Sequence, residues 1–212
     1  MEREIEIQID QGTLSGILSI PKEAKGIVLF VHGSGSSRHS PRNQSVARKI
    51  FEAGIGTFLF DLLTSEEEEV DNVTAELRFN IPMLAERTAL ITQWIEKQKE
   101  LKGMKIGYFG ASTGAAAALI AAANLPKIGA VVSRGGRPDL AFDVLTKVKA
   151  PTLLIVGGED TVVIEMNKKA YEKLSCEKKL LIIPGATHLF EEKGKLEEVA
   201  KQALEWFKQH LA

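Results

Sequence analysis

Residues 105–114 of the chain read KIGYFGASTG, and this stretch decides the fold. Its first half is an apolar run typical of a buried strand, and the Ala-rich segment that begins at Ser112 indicates a helix. Gly110, Ser112 and Gly114 form the pattern G-x-S-x-G at the junction. In this context a serine lies in a strained turn that projects its hydroxyl above the sheet. The stretch therefore predicts an α/β fold with a candidate nucleophile at Ser112.

Two roles are open to Ser112 on this segment alone. As a nucleophile, it would have the helix N-terminus beneath it, which supplies N–H groups and a positive dipole for a developing oxyanion. Serine is also a favoured N-cap residue, and a cap needs no catalytic partners. The motifs elsewhere in the chain bear on the choice.

Short apolar runs and segments of helical periodicity alternate on both sides of this stretch. Residues 4–10 and 13–20 flank Gln11-Gly12, which predicts an antiparallel hairpin. Further strands are predicted at residues 26–32, 56–61, 105–109, 130–133, 152–156 and 179–183. Helices are predicted at about residues 41–54, 81–95, 112–124, 163–174 and 196–211. The pattern predicts a three-layer α/β fold of about eight mostly parallel strands with an N-terminal antiparallel hairpin.

The length and the spacing of these elements bound the architecture. A chain of 212 residues suits one such domain, and we expect a single domain over residues 1–212 without a large cap domain. In folds of this kind, sites lie at the carboxyl ends of the parallel strands. Residues that follow predicted strands are therefore the candidates for function.

Composition and charge exclude several classes of partner. The formal net charge is −1 with both signs interspersed, so nucleic acid is not an expected partner. The apolar stretch after residue 112 is too short to span a bilayer, and the charged N-terminus does not resemble a signal peptide. Cys176 is the only cysteine, so no internal disulfide can form. We expect a cytoplasmic protein that is a monomer or a homodimer and has a small-molecule partner. We also predict that the glutamate run 66–69 is a solvated loop or the start of a helix.

One of the four histidines is placed to act as a base. His188 lies in the segment PGATHLF after the last predicted strand, so it should lie over the same sheet edge as Ser112. A base is needed because a serine hydroxyl is a poor nucleophile until its proton is taken. His32 ends a strand and is predicted to be structural, whereas His39 lies in a polar loop and is a candidate substrate contact. His210 is almost terminal and should be solvated.

Two neighbouring carboxylates follow the predicted strand at residues 152–156. Asp160 is predicted to hold the imidazole and stabilise its charged form, with Glu159 as the alternative. The chain order Ser112, Asp160, His188 matches the order that accompanies a serine elbow. This agreement favours catalysis over capping at Ser112.

A tetrahedral intermediate needs two N–H donors that point at its oxygen. The backbone N–H of Thr113 is the expected first donor, because it follows the nucleophile. The loop HGSGSS at residues 32–37 follows a predicted strand, and we predict the Ser34 N–H as the second donor. The loop lacks G-x-x-x-x-G-K-[ST] and G-x-G-x-x-G, so it is not predicted to cradle phosphates.

The chain resembles the α/β-hydrolase superfamily, and within it the dienelactone hydrolase-like group. The likeness covers nearly the whole chain and is carried by HGSG at 32–35, GASTG at 110–114, GGED at 157–160 with Val163, and GATH at 185–188. It implies an eight-stranded α/β-hydrolase sheet and a triad of Ser112, Asp160 and His188. It also implies hydrolysis of small esters or lactones, with no metal and no organic cofactor.

The chain departs from the dienelactone hydrolases proper at its nucleophile. Those enzymes use a cysteine in the elbow, whereas this chain has Ser112. Cys176 lies near the end of a predicted helix and cannot substitute for it. The departure favours a general carboxylesterase, acting through an acyl-enzyme on Ser112, over the dienelactone substrate itself.

Two arginines that follow the predicted strand at residues 130–133 should border the site. Arg134 and Arg137 could clamp a substrate carboxylate in bidentate fashion. They could also pair with Asp139, Asp143 or the glutamate run. Both interpretations stay open on the sequence.

Hydrolysis has two alternatives at this level. A hydrolase scaffold can serve as a non-catalytic module that binds small molecules, because fold does not determine function. The same triad could also perform acyl transfer or perhydrolysis with a different acceptor.

Overall fold

The fold is an eight-stranded, mostly parallel sheet in the computed structural model, which describes residues 2–211. The strand order is β1-β2-β4-β3-β5-β6-β7-β8. The strands are β1 (Glu2–Ile9), β2 (Gly12–Ser19), β3 (Gly26–Val31), β4 (Gly56–Phe60), β5 (Lys105–Ala111), β6 (Ala130–Arg134), β7 (Thr152–Gly157) and β8 (Lys178–Ile183). β1 and β2 form the antiparallel hairpin, and β3 to β8 run parallel. The predicted α/β fold is confirmed.

Helices cover both faces of this sheet and complete the three layers. They are α1 (Pro41–Glu52), α2 (Ser65–Thr74), α3 (Ile81–Lys97), α4 (Thr113–Asn124), α5 (Thr161–Lys173) and α6 (Lys195–Leu211). α1 and α6 pack on one face, and α3, α4 and α5 pack on the other. A 3-10 helix, Pro138–Lys147, joins the second face and was not predicted.

Strand β3 shows why the central strands read as continuous apolar runs. Ile27 and Leu29 belong to the core on the α3 and α4 face, whereas Val28 and Phe30 belong to the core on the α1 and α6 face. Side chains alternate along a strand, so both faces need apolar residues when both are covered. All residues of Gly26–Val31 are buried.

The glutamate run begins in the first turn of α2. Of the two predicted alternatives, a solvated loop and a helix start, the helix start is confirmed. A capping box holds this end: the Glu67 N–H donates to Thr64 Oγ1 at 3.2 Å, and the Thr64 N–H donates to Glu67 Oε2 at 2.9 Å. The pattern T-x-x-E was the signal in the sequence. No helix within residues 2–211 is long and apolar enough to cross a membrane.

Candidate active site

Ser112 lies in a tight turn between β5 and α4. Its backbone has φ 50° and ψ −120°, a conformation that costs energy for a residue with a side chain. Its N–H donates to the Arg134 carbonyl, and its own carbonyl accepts the N–H groups of Ala115 and Arg137, each at 3.1 Å. The Ser112 side chain makes no capping hydrogen bond to α4. The hydroxyl is therefore not used as a cap.

The glycine two residues after Ser112 is required by close packing. A Cβ atom on Gly114 would lie 2.2 Å from the His32 carbonyl oxygen and 2.3 Å from that of Val31. A side chain at this position would push β3 away from the start of α4. The second glycine of G-x-S-x-G thus lets the elbow pack directly on β3.

A hydrogen bond joins the predicted base and acid. His188 Nδ1 lies 2.6 Å from Asp160 Oδ2, and the two side chains are 38% and 16% exposed. Asp160 is the N-cap residue of α5, yet its carboxylate makes no capping bond. Glu159 is exposed, and its N–H donates to the Ala186 carbonyl at 3.0 Å. Of the two neighbouring carboxylates, Asp160 is the one in contact with the imidazole.

Gly135 places the imidazole beside the elbow. A Cβ atom on Gly135 would lie 3.4 Å from His188 Cε1 and 3.5 Å from His188 Nδ1, so the ring rests on this backbone. The preceding residue, Arg134, accepts the Ser112 N–H. The end of β6 therefore brings the loop of His188 and the turn of Ser112 to adjacent points on the carboxyl edge of the sheet.

The two predicted oxyanion donors lie beside the elbow but differ in their partners. Thr113 is the first residue of α4, so its N–H has no acceptor within the helix. The Ser34 N–H donates to Thr113 Oγ1 at 2.9 Å, a contact between residues 79 positions apart. The amide of Ser34 is therefore engaged by a hydroxyl, and its role as second donor stays a prediction.

His32 is buried beneath the same loop, with a structural contact at each ring nitrogen. Its Nε2 accepts the Leu62 N–H at 3.2 Å, and its Nδ1 lies 3.0 Å from the Gly33 carbonyl oxygen. These contacts correspond to a neutral ring with its hydrogen on Nδ1. Burial lowers the pKa of His32, against smaller opposing effects from the Gly33 carbonyl and the charges of Asp61 and Glu68.

Because the folded protein holds the His32 ring neutral, we expect the free energy of unfolding to fall in mild acid. The folded pKa of His32 lies below its unfolded value of about 6.5, so the unfolded chain binds more protons in this range. The stabilisation is complete above about pH 6.5 and is lost as the pH falls through the folded pKa. Urea unfolding of the parent and of His32→Gln at about pH 7.5, 6.5 and 5.5 measures this. The stability difference between the two proteins should shrink toward the lowest pH, and a constant difference would contradict the expectation.

The predicted substrate contacts occupy three different environments. Arg137 donates to both carboxylate oxygens of Asp139, at 2.9 and 2.8 Å, which is the ion pair that the sequence left open. These hydrogen bonds raise the pKa of Arg137. His39 is exposed in the loop before α1, and Arg134 is buried at the end of β6.

A cavity of about 150 Å³ lies beside the Ser34 loop, and its lining includes Asp71, which the sequence did not single out. Asp71 is buried on its wall and accepts a hydrogen bond from Arg78 Nε at 2.6 Å. Burial acts to raise the pKa of Asp71, but hydrogen bonds from Arg78 and Leu77 outweigh it and lower the pKa. The cavity is lined by His32, Gly33, Ser34, Gly35, Ser36, Leu62, Leu63, Glu68, Asp71, Asn72, Arg78 and Leu84.

Cys176 lies far from this edge of the sheet. Its thiol is 3.7 Å from Thr152 Oγ1, and Thr152 is the first residue of β7. The elbow and the histidine loop lie at the opposite, carboxyl ends of the strands. Cys176 therefore lies at the opposite end of the strands from Ser112.

The sheet order, the strained turn at Ser112 and the His188–Asp160 pair at the carboxyl edge together define an α/β hydrolase. Residues 14–211 match the model of the dienelactone hydrolase family. The chain belongs to this family.

Relatives and solved structures extend this result. The crystal structure of a dienelactone hydrolase from Anabaena variabilis is 54% identical, with a TM-score of 0.98 over 100% of this chain and 99% of that one. Est1E from Butyrivibrio proteoclasticus shares the fold at 17% identity, with a TM-score of 0.81 over 97% and 98% of the two chains. Two Mycobacterium tuberculosis proteins, named provisionally as phosphoribosyl transferases, are 53% identical over 99% of this chain. The chain spans about half, 47%, of their length.

Proposed function

We propose that the chain is a serine hydrolase that cleaves small ester or lactone substrates through an acyl-enzyme on Ser112. The observation that carries this proposal is the 2.6 Å contact of His188 with Asp160, on a ring that rests against Gly135 beside the elbow. A serine in a strained turn, free of capping contacts and on the same sheet edge as a carboxylate-bound imidazole, fits what nucleophilic acyl transfer requires.

Acylation begins when the Ser112 oxygen attacks the acyl carbon and its proton passes to His188 Nε2. Asp160 accepts the Nδ1–H, which keeps Nε2 free to act as base and stabilises the imidazolium. The Thr113 N–H and the N-terminus of α4 stabilise the oxyanion. His188 then donates the proton to the leaving alcohol oxygen as the acyl–oxygen bond breaks, which leaves the acyl group on Ser112.

Deacylation repeats these steps with water as the nucleophile. His188 takes a proton from water as the water oxygen bonds to the acyl carbon. It then donates that proton to the Ser112 oxygen as the ester bond to Ser112 breaks. The product is a carboxylic acid, and with a lactone the acid and the alcohol belong to one molecule. The chemistry calls on Ser112, His188 and Asp160 and on no metal or organic cofactor.

Two features support these two substrate classes. The Anabaena relative carries the name of a lactone hydrolase, which supports lactones as one substrate class. Serine in place of cysteine supports simple carboxylic esters as the other class.

Two measurements on the purified protein test the proposal. We expect hydrolysis of p-nitrophenyl acetate and covalent labelling by a fluorophosphonate at one residue, which peptide mass spectrometry identifies as Ser112. Added methanol or hydrogen peroxide separates hydrolysis from acyl transfer and perhydrolysis, because the products are then a methyl ester or a peracid. Binding of small molecules without turnover or labelling would support the non-catalytic module instead.

The hydroxyl of Thr113 offers a narrower prediction about the oxyanion loop. Because it accepts the Ser34 N–H, it holds that loop against the elbow. Thr113→Val keeps the side-chain shape and removes the acceptor, and we expect kcat to fall about tenfold with little change in KM. Thr113→Ser keeps the hydroxyl and should stay near the parent rate. A higher kcat in Thr113→Val would show that the hydroxyl competes with substrate for the Ser34 N–H.

A further inference from the structure

One peptide group in the loop that carries His188 is held from both sides. The carbonyl oxygen of Ala186 accepts the Glu159 N–H at 3.0 Å, and the N–H of Thr187 donates to Glu192 Oε2 at 3.1 Å. This peptide group lies one residue before His188. Its two hydrogen bonds therefore constrain the direction in which the chain reaches the imidazole.

The Glu192 carboxylate makes a second contact with the same residue. Thr187 Oγ1 donates to Glu192 Oε1 at 2.6 Å, so each carboxylate oxygen accepts one hydrogen bond from Thr187. The bond from the Thr187 hydroxyl is the largest cause of a lowered pKa at Glu192, so the carboxylate is ionised at neutral pH. Hydrogen bonds to an ionised acceptor are stronger than neutral ones. These two bonds form the Thr187–Glu192 clamp.

The turn beside the clamp has an unfavourable backbone conformation. The Phe190 N–H donates to the Thr187 carbonyl at 3.3 Å and closes a turn that contains His188. Phe190 has φ 58°, in the left-handed region that is costly for a bulky side chain, and its ring is 1% exposed. Such a turn needs support from contacts around it, and the buried ring and the clamp supply this support on either side of His188.

The inner side of the same loop packs on the sheet. A Cβ atom on Gly157 would lie 2.5 Å from the Thr187 carbonyl oxygen, and one on Gly135 would lie 3.2 Å from that of His188. These contacts limit movement toward the strand ends, but they leave rotation of the backbone away from the sheet. Thr187 can rotate in that direction only if its hydrogen bonds to Glu192 break.

We propose that Glu192 is a positioning residue for His188, which it holds through Thr187 in the orientation that meets Asp160. This inference rests on the proposed function and adds a residue to its machinery. The His188 side chain is 38% exposed, so packing alone does not immobilise the ring. Rotation of the loop would lengthen the 2.6 Å contact between His188 Nδ1 and Asp160 Oδ2. Small losses of alignment at a reacting group are costly for catalysis.

Substitution of Glu192 tests the clamp in turnover. Glu192→Gln keeps the length of the side chain but removes the charge and one acceptor oxygen. We expect kcat for p-nitrophenyl acetate to fall about tenfold, with KM within about twofold of the parent. Glu197→Gln, at an exposed position of α6, makes the same chemical change and should keep the parent kcat. Equal kcat values in the two variants would overturn the proposal.

The other half of the clamp offers a rescue. Thr187→Val keeps the side-chain shape and the N–H but loses the hydroxyl, and we expect kcat to fall about threefold. Thr187→Ser restores the hydroxyl and should restore the parent kcat. A loss of Tm in Glu192→Gln and Thr187→Val with an unchanged kcat in both would assign the clamp to stability alone and overturn the positioning role.

NMR of protein labelled with ¹⁵N-histidine supplies a readout that does not depend on turnover. A short hydrogen bond deshields its proton, so the Nδ1–H of His188 should resonate far downfield, and Asp160→Asn assigns this signal by shifting it. In Glu192→Gln the signal should move upfield and exchange faster with water, whereas Glu197→Gln should leave it in place. An unchanged signal in Glu192→Gln would contradict the proposal.

The two proposals can fail separately. A shift of the His188 signal in Glu192→Gln, in a protein that neither turns over esters nor reacts with a fluorophosphonate, would keep the clamp and remove the esterase proposal. Turnover that depends on Ser112 but is the same in the parent, Glu192→Gln and Thr187→Val would keep the esterase proposal and remove the clamp.

Discussion

Replacement of Ser112 by alanine is expected to lower kcat for p-nitrophenyl acetate by about 10³- to 10⁶-fold. The change removes one oxygen and with it the covalent route, so that residual rate comes only from binding and from the oxyanion donors. Alanine keeps the Cβ atom, so the backbone at φ 50° carries the same strain in both proteins. Initial rates over a wide range of enzyme concentration, corrected for spontaneous hydrolysis, measure the loss.

Ser45→Ala is the matched control for this experiment. Ser45 is exposed on α1, and its variant makes the same chemical change away from the elbow. It should keep the parent rate and the parent labelling by a fluorophosphonate. A Ser112→Ala protein that turned over the ester like Ser45→Ala would remove Ser112 from the mechanism.

Replacement of Asp160 by asparagine is expected to have the next largest effect, a loss of about 10⁴-fold in kcat. The amide has almost the shape of the carboxylate, but it cannot stabilise an imidazolium, and it can hold the ring in the wrong tautomer. The 2.6 Å contact with His188 Nδ1 is the structural basis of this expectation. Rates should be compared at a pH where the parent is fully active.

Glu159→Gln provides the control one residue away. Glu159 is exposed, and its hydrogen bond to the histidine loop comes from its backbone N–H, which the substitution leaves intact. Its kcat should stay within about twofold of the parent. A larger loss of kcat in Glu159→Gln than in Asp160→Asn would assign the role of triad carboxylate to Glu159 and contradict the contact seen at Asp160.

The elbow and the sheet were predictable because their signals are local. A strand buried on both faces needs an uninterrupted apolar run, and β3 and β5 show this in their residues alone. The start of α2 had an equally local signal in Thr64 and Glu67, although the helix itself was not predicted. Where a short segment decides its own conformation, the sequence is sufficient.

The contacts between loops were less predictable, because they join residues far apart in the chain. The alternatives Glu159 and Asp160 follow the same strand, and the register of their turn against the His188 loop separates them. The Ser34 N–H was predicted to be open to a ligand, yet Thr113 occupies it from across the elbow. Composition and spacing contain no information on such pairings.

Arg134 at the end of β6 and Arg137 just after it illustrate the same division. Arg137 pairs with Asp139 two residues away, a partner that the sequence already offered. Arg134 faces Phe190 and Arg42, which come from the histidine loop and from α1. Its burial depends on how those elements pack around the end of β6.

The sequence by itself determined the eight strands and five of the six α-helices in chain order, the turn that strains Ser112 and the chain order of the candidate nucleophile, acid and base. Apolar periodicity and glycine spacing act over a few residues, so these features can be inferred without coordinates. Only the tertiary structure decided which carboxylate meets His188, which amide Thr113 engages and which of the two arginines is buried. Those outcomes depend on the packing of loops from β3, β6, β7 and β8 at one sheet edge, where small differences in backbone direction select the contacts.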